Sequence, residues 1–140
     1  MDTQITDFFE LGETGTPIQL QEAIKAGADV NAVAKYGRTP LMAAARYNQN
    51  PKVITVLLAA GADVNALNIF GGTPLMYAAE YNPNPAVITT LLKAGADAKA
   101  KDNAEKTAFD YAQANAKLKG SDAYRKLNEA TNFFERRKRT

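Results

Sequence analysis

The sequence predicts an all-α solenoid, a stack of four helix pairs joined by three β-hairpin-like fingers. Two observations carry this expectation. Short words recur at a fixed step of 34 residues: Gly-Ala-Asp-Val-Asn-Ala at 27–32 and 61–66, then Gly-Ala-Asp-Ala-Lys-Ala at 95–100. Thr39-Pro40-Leu41 and Thr73-Pro74-Leu75 keep the same step, with a worn copy at Thr107-Ala108-Phe109, and so do Pro17, Pro51 and Pro85. Within each unit, signals that start and stop helices then alternate. A period of this length means one supersecondary unit stacked on itself, an architecture that serves binding far more often than chemistry.

The first helix lacks the Thr-Pro-Leu word and carries Phe8, Phe9 and Leu11. Thr16-Pro17 opens its partner, with Ile18, Leu20, Ala23 and Ile24 as apolar positions. In the second unit Thr39 is an N-cap and Pro40 takes the first helical position, where a missing N–H is harmless. Leu41, Ala44 and Ala45 follow at the spacing of a buried face, the alanines small enough to let helices approach closely. Asn50-Pro51 repeats the start signal, and Val53, Ile54, Leu57 and Leu58 form the stripe of the next helix. Gly61 lies just past its end, where a left-handed residue closes a helix. Residues 61–72 show no helical period, and their Asp, Asn and Gly support tight turns, hence a projecting finger.

The third unit repeats the second at about two thirds of its positions. In the last, Thr107 opens a short helix and Ser121 caps a final one running from about Asp122 into the 130s. Degenerate ends with a polar outer face let a stack terminate. The chain therefore divides into one domain over 1–130, with an N-terminal cap at 1–26, repeats at 27–60 and 61–94, a C-terminal repeat and cap at 95–130, and a basic tail at 131–140. Glu105 stands where the second finger has Gly71, which predicts a distorted or looser third finger.

With 46% hydrophobic residues in 140, the chain has the material for one core. It contains no cysteine and no histidine, which excludes disulfides, thiolate nucleophiles and Ser-His-Asp systems. The net charge of +2 conceals an uneven distribution. Arg136-Arg137-Lys138-Arg139 holds four of 17 basic residues, leaving a body of 13 basic against 15 acidic groups. A slightly acidic body argues against a nucleic-acid surface on the repeats. The basic run has the composition of a nuclear-import signal, an anionic-membrane tether or a nucleic-acid arm, and equally of a solvated helix C-terminus, which is the reading adopted. No apolar run spans a membrane and no signal peptide opens the sequence, so a cytoplasmic location is expected; a secreted or periplasmic one requires a leader already removed.

Asp29, Asp63 and Asp97 recur one repeat apart, on the order of 10 Å in such a stack, too far to share an ion. They read as turn-stabilising carboxylates. Met42 and Met76 read as gap fillers. The glycines at 12–15 and 71–72 follow no phosphate-loop pattern.

Thr-Pro-Leu-Met-Ala-Ala-Ala at 39–45, Thr-Pro-Leu-Met-Tyr-Ala-Ala at 73–79 and Leu-Leu-x-x-Gly-Ala-Asp-Val-Asn-Ala at 57–66 resemble the ankyrin repeat, over roughly residues 5–130. Met42 and Met76 stand where the family usually has histidine. The unit is also one residue longer than the family's usual length, with Tyr-Asn-x-Asn-Pro at 47–51 and 81–85 as its inter-helix turn, a form expected of bacterial members. The resemblance implies fingers at a right angle to the stack and binding of an unidentified protein or peptide by the finger tips and the first helices. It implies no catalysis, no cofactor and no metal, and a monomer is expected.

Carried onto this chain, the finger positions are Val33, Lys35, Tyr36 and Arg38, then Asn68, Ile69 and Phe70, then Asn103, Ala104 and Lys106. The helix positions are Ala43, Arg46 and Tyr47, then Tyr77, Glu80 and Tyr81. Aromatic and arginine side chains are enriched in interface cores. Tyr47 and Tyr81 recur identically, which favours packing beneath the longer turn. Arg38/Gly72, Arg46/Glu80 and Ala43/Tyr77 differ between units, which favours specificity. The resulting expectation is a non-catalytic protein-interaction module; the alternative is an accessory or inhibitory subunit that masks an enzyme or toxin surface.

Overall fold

The computed structural model describes the backbone of residues 3–139 and the side chains of 8–132. Its helices are α1 (Thr3–Thr14), α2 (Pro17–Lys25), α3 (Pro40–Tyr47), α4 (Pro51–Ala59), α5 (Pro74–Tyr81), α6 (Pro85–Lys93), α7 (Ala108–Ala112) and α8 (Asp122–Arg139). These are the four predicted pairs. The first helices α1, α3, α5 and α7 pack in order as one layer, and α2, α4, α6 and α8 as the other. α8 runs from Asp122 into the 130s as predicted; the basic run at 136–139 falls in the last turn of its backbone, and its side chains lie outside the described residues. Among the described residues no helix is long and apolar enough to cross a membrane.

The start signals act as predicted. The hydroxyls of Thr16, Thr39, Thr73 and Thr107 each accept from a backbone N–H three residues on, and each such cap contributes about 1 kcal/mol. Asn50 and Asn84 cap α4 and α6 in the same way, onto Lys52 and Ala86. Met42 adds a weak link, its Sδ accepting from the Thr39 N–H at 3.4 Å. Gly61 closes α4 at φ +102° and carries the chain into the next finger.

The apolar register repeats with the period. Leu41 and Leu75 head the first layer, Ile54, Leu57, Ile88 and Leu91 fill the second, and all are essentially inaccessible. Each such burial stabilises by about 1.5–3 kcal/mol. Ala44, Ala45, Ala78, Ala79 and Ala112 are fully buried, which is what permits α3, α5 and α7 to lie close. Ile18 departs from the expected face and is 66% exposed.

Two asparagine ladders tie neighbouring units together. Within the turn words, the Asp29, Asp63 and Asp97 carboxylates accept from the N–H two residues on. Asn31 then donates to Gly61 O and accepts from Asp63 N; Asn65 does the same with Gly95 O and Asp97 N. Lys99 replaces this asparagine in the last of the three copies. In the inter-helix turns, buried Asn48 donates to Gly12 O and Gly15 O, Asn82 to Ala45 O and Asn48 O, and Asn115 to Ala79 O and Asn82 O. The extra turn residue thus accompanies a cross-unit amide that satisfies one carbonyl in the last turn of the preceding first helix and one just past its end.

The fingers are tight turns with no strand among the described residues. Each closes with two backbone bonds, Ala34 N to Arg38 O and Gly37 N to Ala34 O in the first, Asn68 N to Gly72 O and Gly71 N to Asn68 O in the second, and Asp102 N to Lys106 O and Glu105 N to Asp102 O in the third. One backbone bond also links each tip to the next, Ile69 N to Tyr36 O and Asn103 N to Phe70 O, both at 2.9 Å. The third finger is not distorted. Glu105 takes the same left-handed backbone (φ +65°) as Gly71 (φ +79°), and the closing bonds match. A Cβ at Gly71 would sit 3.2 Å from Asn103 N in the next finger. Among the described residues no finger packs on Glu105, so a side chain fits there.

Candidate functional site

The three finger tips differ because their first residues differ. Asn68 Oδ1 accepts from Phe70 N and Gly72 N, and Asp102 Oδ1 accepts from Ala104 N and Lys106 N. Ala34 has no such oxygen. In that finger Tyr36 itself turns left-handed (φ +68°, ψ +17°), and Arg38 braces the loop through Nε to Lys35 O at 3.2 Å. Lys35 Nζ lies 5.0 Å from the Tyr36 ring centre.

The finger tips present an apolar ridge. Tyr36 and Phe70 rings lie 6.1 Å apart with planes tilted by 35°. Ile69 is 60% and Phe70 58% exposed, with Val33 and Leu67 exposed on the same two fingers. Asn103 belongs to the stacking of the tips, its N–H spent on Phe70 O.

Along the first helices, Arg46 is the centre. Its guanidinium carbon lies 4.8 Å from the Tyr47 ring centre and 4.2 Å from that of Tyr81, so one cation bridges the faces of two units. Tyr47 and Tyr81 remain 48% and 46% exposed. They are not buried beneath the longer turn; Arg46 is what they share. Arg46 Nε is buried and has no hydrogen-bond partner. Burial, then the neighbouring Glu80 charge, raises the Tyr81 hydroxyl above its ordinary value, with Arg46 opposing.

Between the second and third fingers the surface folds into a cleft of about 250 Å³ that gathers Arg46, Phe70, Tyr77, Glu80 and Tyr81, with Met76 at its floor. Lys35, Tyr36, Arg38, Ala43, Tyr47, Ile69, Asn103 and Lys106 lie outside that lining. The cleft also contains Asp102 and Tyr111, which the sequence reading did not single out. Register was the available signal: Asp102 aligns with Asn68 and Tyr111 with Tyr77. Each pair bonds finger to helix, Asn68 Nδ2 to Tyr77 Oη at 2.9 Å and Tyr111 Oη to Asp102 Oδ2. Tyr77 therefore recurs in the next unit and braces its finger, which weakens the argument that it varies freely.

The Asp102–Tyr111 contact is charged. Burial works against ionisation of Asp102, but the Tyr111 hydroxyl, the Lys106 and Ala104 amides and the Lys106 charge outweigh it and hold the carboxyl below its ordinary range. The same hydrogen bond, with burial, pushes the Tyr111 hydroxyl far up. Lys106 Nζ stands 5.5 Å from the Tyr111 ring centre.

A wider depression of about 410 Å³ lies on the other layer, between α2 and α4, and gathers neither a ring nor a carboxylate. The chain matches the family model described as ankyrin repeats (3 copies) over residues 13–102 and again over 47–123. No curated protein matches it.

Proposed function

Because the chain belongs to the ankyrin-repeat family, whose members are generally protein-interaction modules and typically non-catalytic, we propose that it binds a peptide segment of another protein in the groove between its fingers and first helices. The observation that carries this reading is a row of exposed rings, Tyr36 against Phe70 and Tyr81 lining one cleft with Phe70, with Arg46 stacked on Tyr81 at its centre. Large rigid rings bury much area for little lost rotamer freedom, and Arg is the cation most often found among them at binding hot spots. The cleft below Phe70 gives such a segment one place to seat a side chain. The positions Lys35, Arg38, Ile69, Asn103 and Lys106 would then form the rim.

Replacing Tyr36, Phe70 and Tyr81 together by alanine tests this. All three are about half exposed, so far-UV circular dichroism and the melting curve should change little. Pull-down of the partner from lysate of the source cell should be lost. Undiminished recovery with the triple variant would remove the groove from the binding surface. An accessory or inhibitory subunit would use the same groove on a dedicated partner.

A further inference from the structure

The geometry points to an acidic side chain as the group that the partner segment places on Arg46, a single carboxylate set among apolar residues. This rests on the groove reading and adds the chemistry of its central contact. Arg46 Nε is buried and unpartnered, an unusual state for a charged donor. The guanidinium is held against Tyr47 and Tyr81 by ring stacking alone. The ion pairs found among the described residues lie on α8, at Arg125, so no described acid pairs with Arg46 within 4.0 Å. A guanidinium carbon held 4.8 and 4.2 Å from two ring centres is fixed in place, and its two terminal nitrogens form the planar fork that receives a carboxylate through two parallel bonds.

The surroundings narrow the ligand further. Glu80 and Asp102 line the same cleft as Arg46, and Asp102 is ionised at neutral pH. Two carboxylates beside one guanidinium repel a run of phosphates or of acidic residues, which favours one acid with apolar neighbours. A cation is disfavoured as the guest, because Arg46 and Lys106 already stand over the Tyr81 and Tyr111 rings. Phe70 and the exposed Ile69 beside it supply the apolar contact.

The test is selection of random dodecapeptides displayed on phage against the immobilised full chain, followed by fluorescence polarisation of the tightest peptide. Selected peptides should carry one Asp or Glu flanked by aromatic or aliphatic residues. Exchanging that acid for its amide should weaken binding to the wild-type chain about tenfold, the range of a charge-assisted bond. On Arg46→Gln the acid and amide peptides should bind alike, and Arg46→Lys should restore part of the preference. The acid-to-amide exchange is made in the peptide, so it holds whatever Arg46→Gln does to folding. Equal binding of both peptides to the wild-type chain, or an undiminished preference on Arg46→Gln, overturns the assignment while leaving the groove reading in place. Failure to select any peptide overturns the groove reading itself.

Discussion

The Tyr111–Asp102 bond keeps the hydroxyl protonated and the carboxyl ionised, and the neighbouring unit contains the uncharged version of the same contact in Tyr77 and Asn68. Asp102 has its carboxyl lowered from 3.8, so the stability it contributes is fully present above that pH and is lost as pH falls through the lower folded value. Tyr111 has its hydroxyl raised from 10.0, so its contribution is present below that pH and is lost only as pH rises through the folded value. Both signs place full strength at neutral pH. Tyr111→Phe should therefore lower the unfolding free energy at pH 7 by about 1–2 kcal/mol, the lower part of the range for a bond to a charged group because the pair is partly exposed. The loss should shrink once pH falls below 3.8. Tyr77→Phe should show no such shrinkage, since Asn68 does not titrate. Urea denaturation followed by circular dichroism across the acid range measures both. A Tyr111→Phe difference that stays constant with pH would contradict the charged assignment.

The turn between paired helices has a comparable division of labour. Asn82 donates two bonds, to Ala45 O and Asn48 O, and its Oδ1 accepts from Asn84 N. Asn82→Ala strands these groups in a buried turn and should cost about 2–4 kcal/mol. Asn50→Ala removes only an exposed cap and should cost about 1 kcal/mol. Equal midpoint shifts for the two variants in urea would show that the buried amide adds nothing beyond a cap. This element also marks where the sequence was legible and where it was not. Thr39, Pro40, Asn50 and Gly61 act through their own few neighbours, so their roles could be read directly. Asn82 acts across 37 residues, on a carbonyl that no local pattern names, so it was seen only as part of a longer turn. Arg46 was found because it differed from Glu80, yet its stacking on Tyr81 depends on how two helices lie side by side. Asp102 reads in the sequence as one more polar turn residue and Tyr111 as a repeat of Tyr77; their contact emerges once the finger folds over α7.

Whether the molecule folds should depend more on how its stack is capped than on losing one internal unit, because the inter-unit ties run between adjacent units. Two variants of equal length, 106 residues each, separate these. Deleting 61–94 removes one full period and joins Ala60 to Gly95. Asn31 can then donate to Gly95 O in place of Gly61 O, and the Asn115 amide meets Ala45 O and Asn48 O in place of Ala79 O and Asn82 O, since the register is preserved. Deleting 107–140 removes α7 and α8 instead. It leaves Ala79 O and Asn82 O without the Asn115 amide and strips the cover from the apolar faces of α5 and α6. The first variant should fold cooperatively, with a urea m-value reduced by about a quarter as the buried surface shrinks. The second should unfold or aggregate on purification. The internal deletion also takes away Phe70, Tyr77 and Tyr81, leaving Arg46 with Tyr47 alone, so it should fold without the proposed groove and fail to bind the selected peptides. Were the internal deletion to unfold and the truncation to stay soluble and cooperative, nearest-neighbour stacking would not describe this chain.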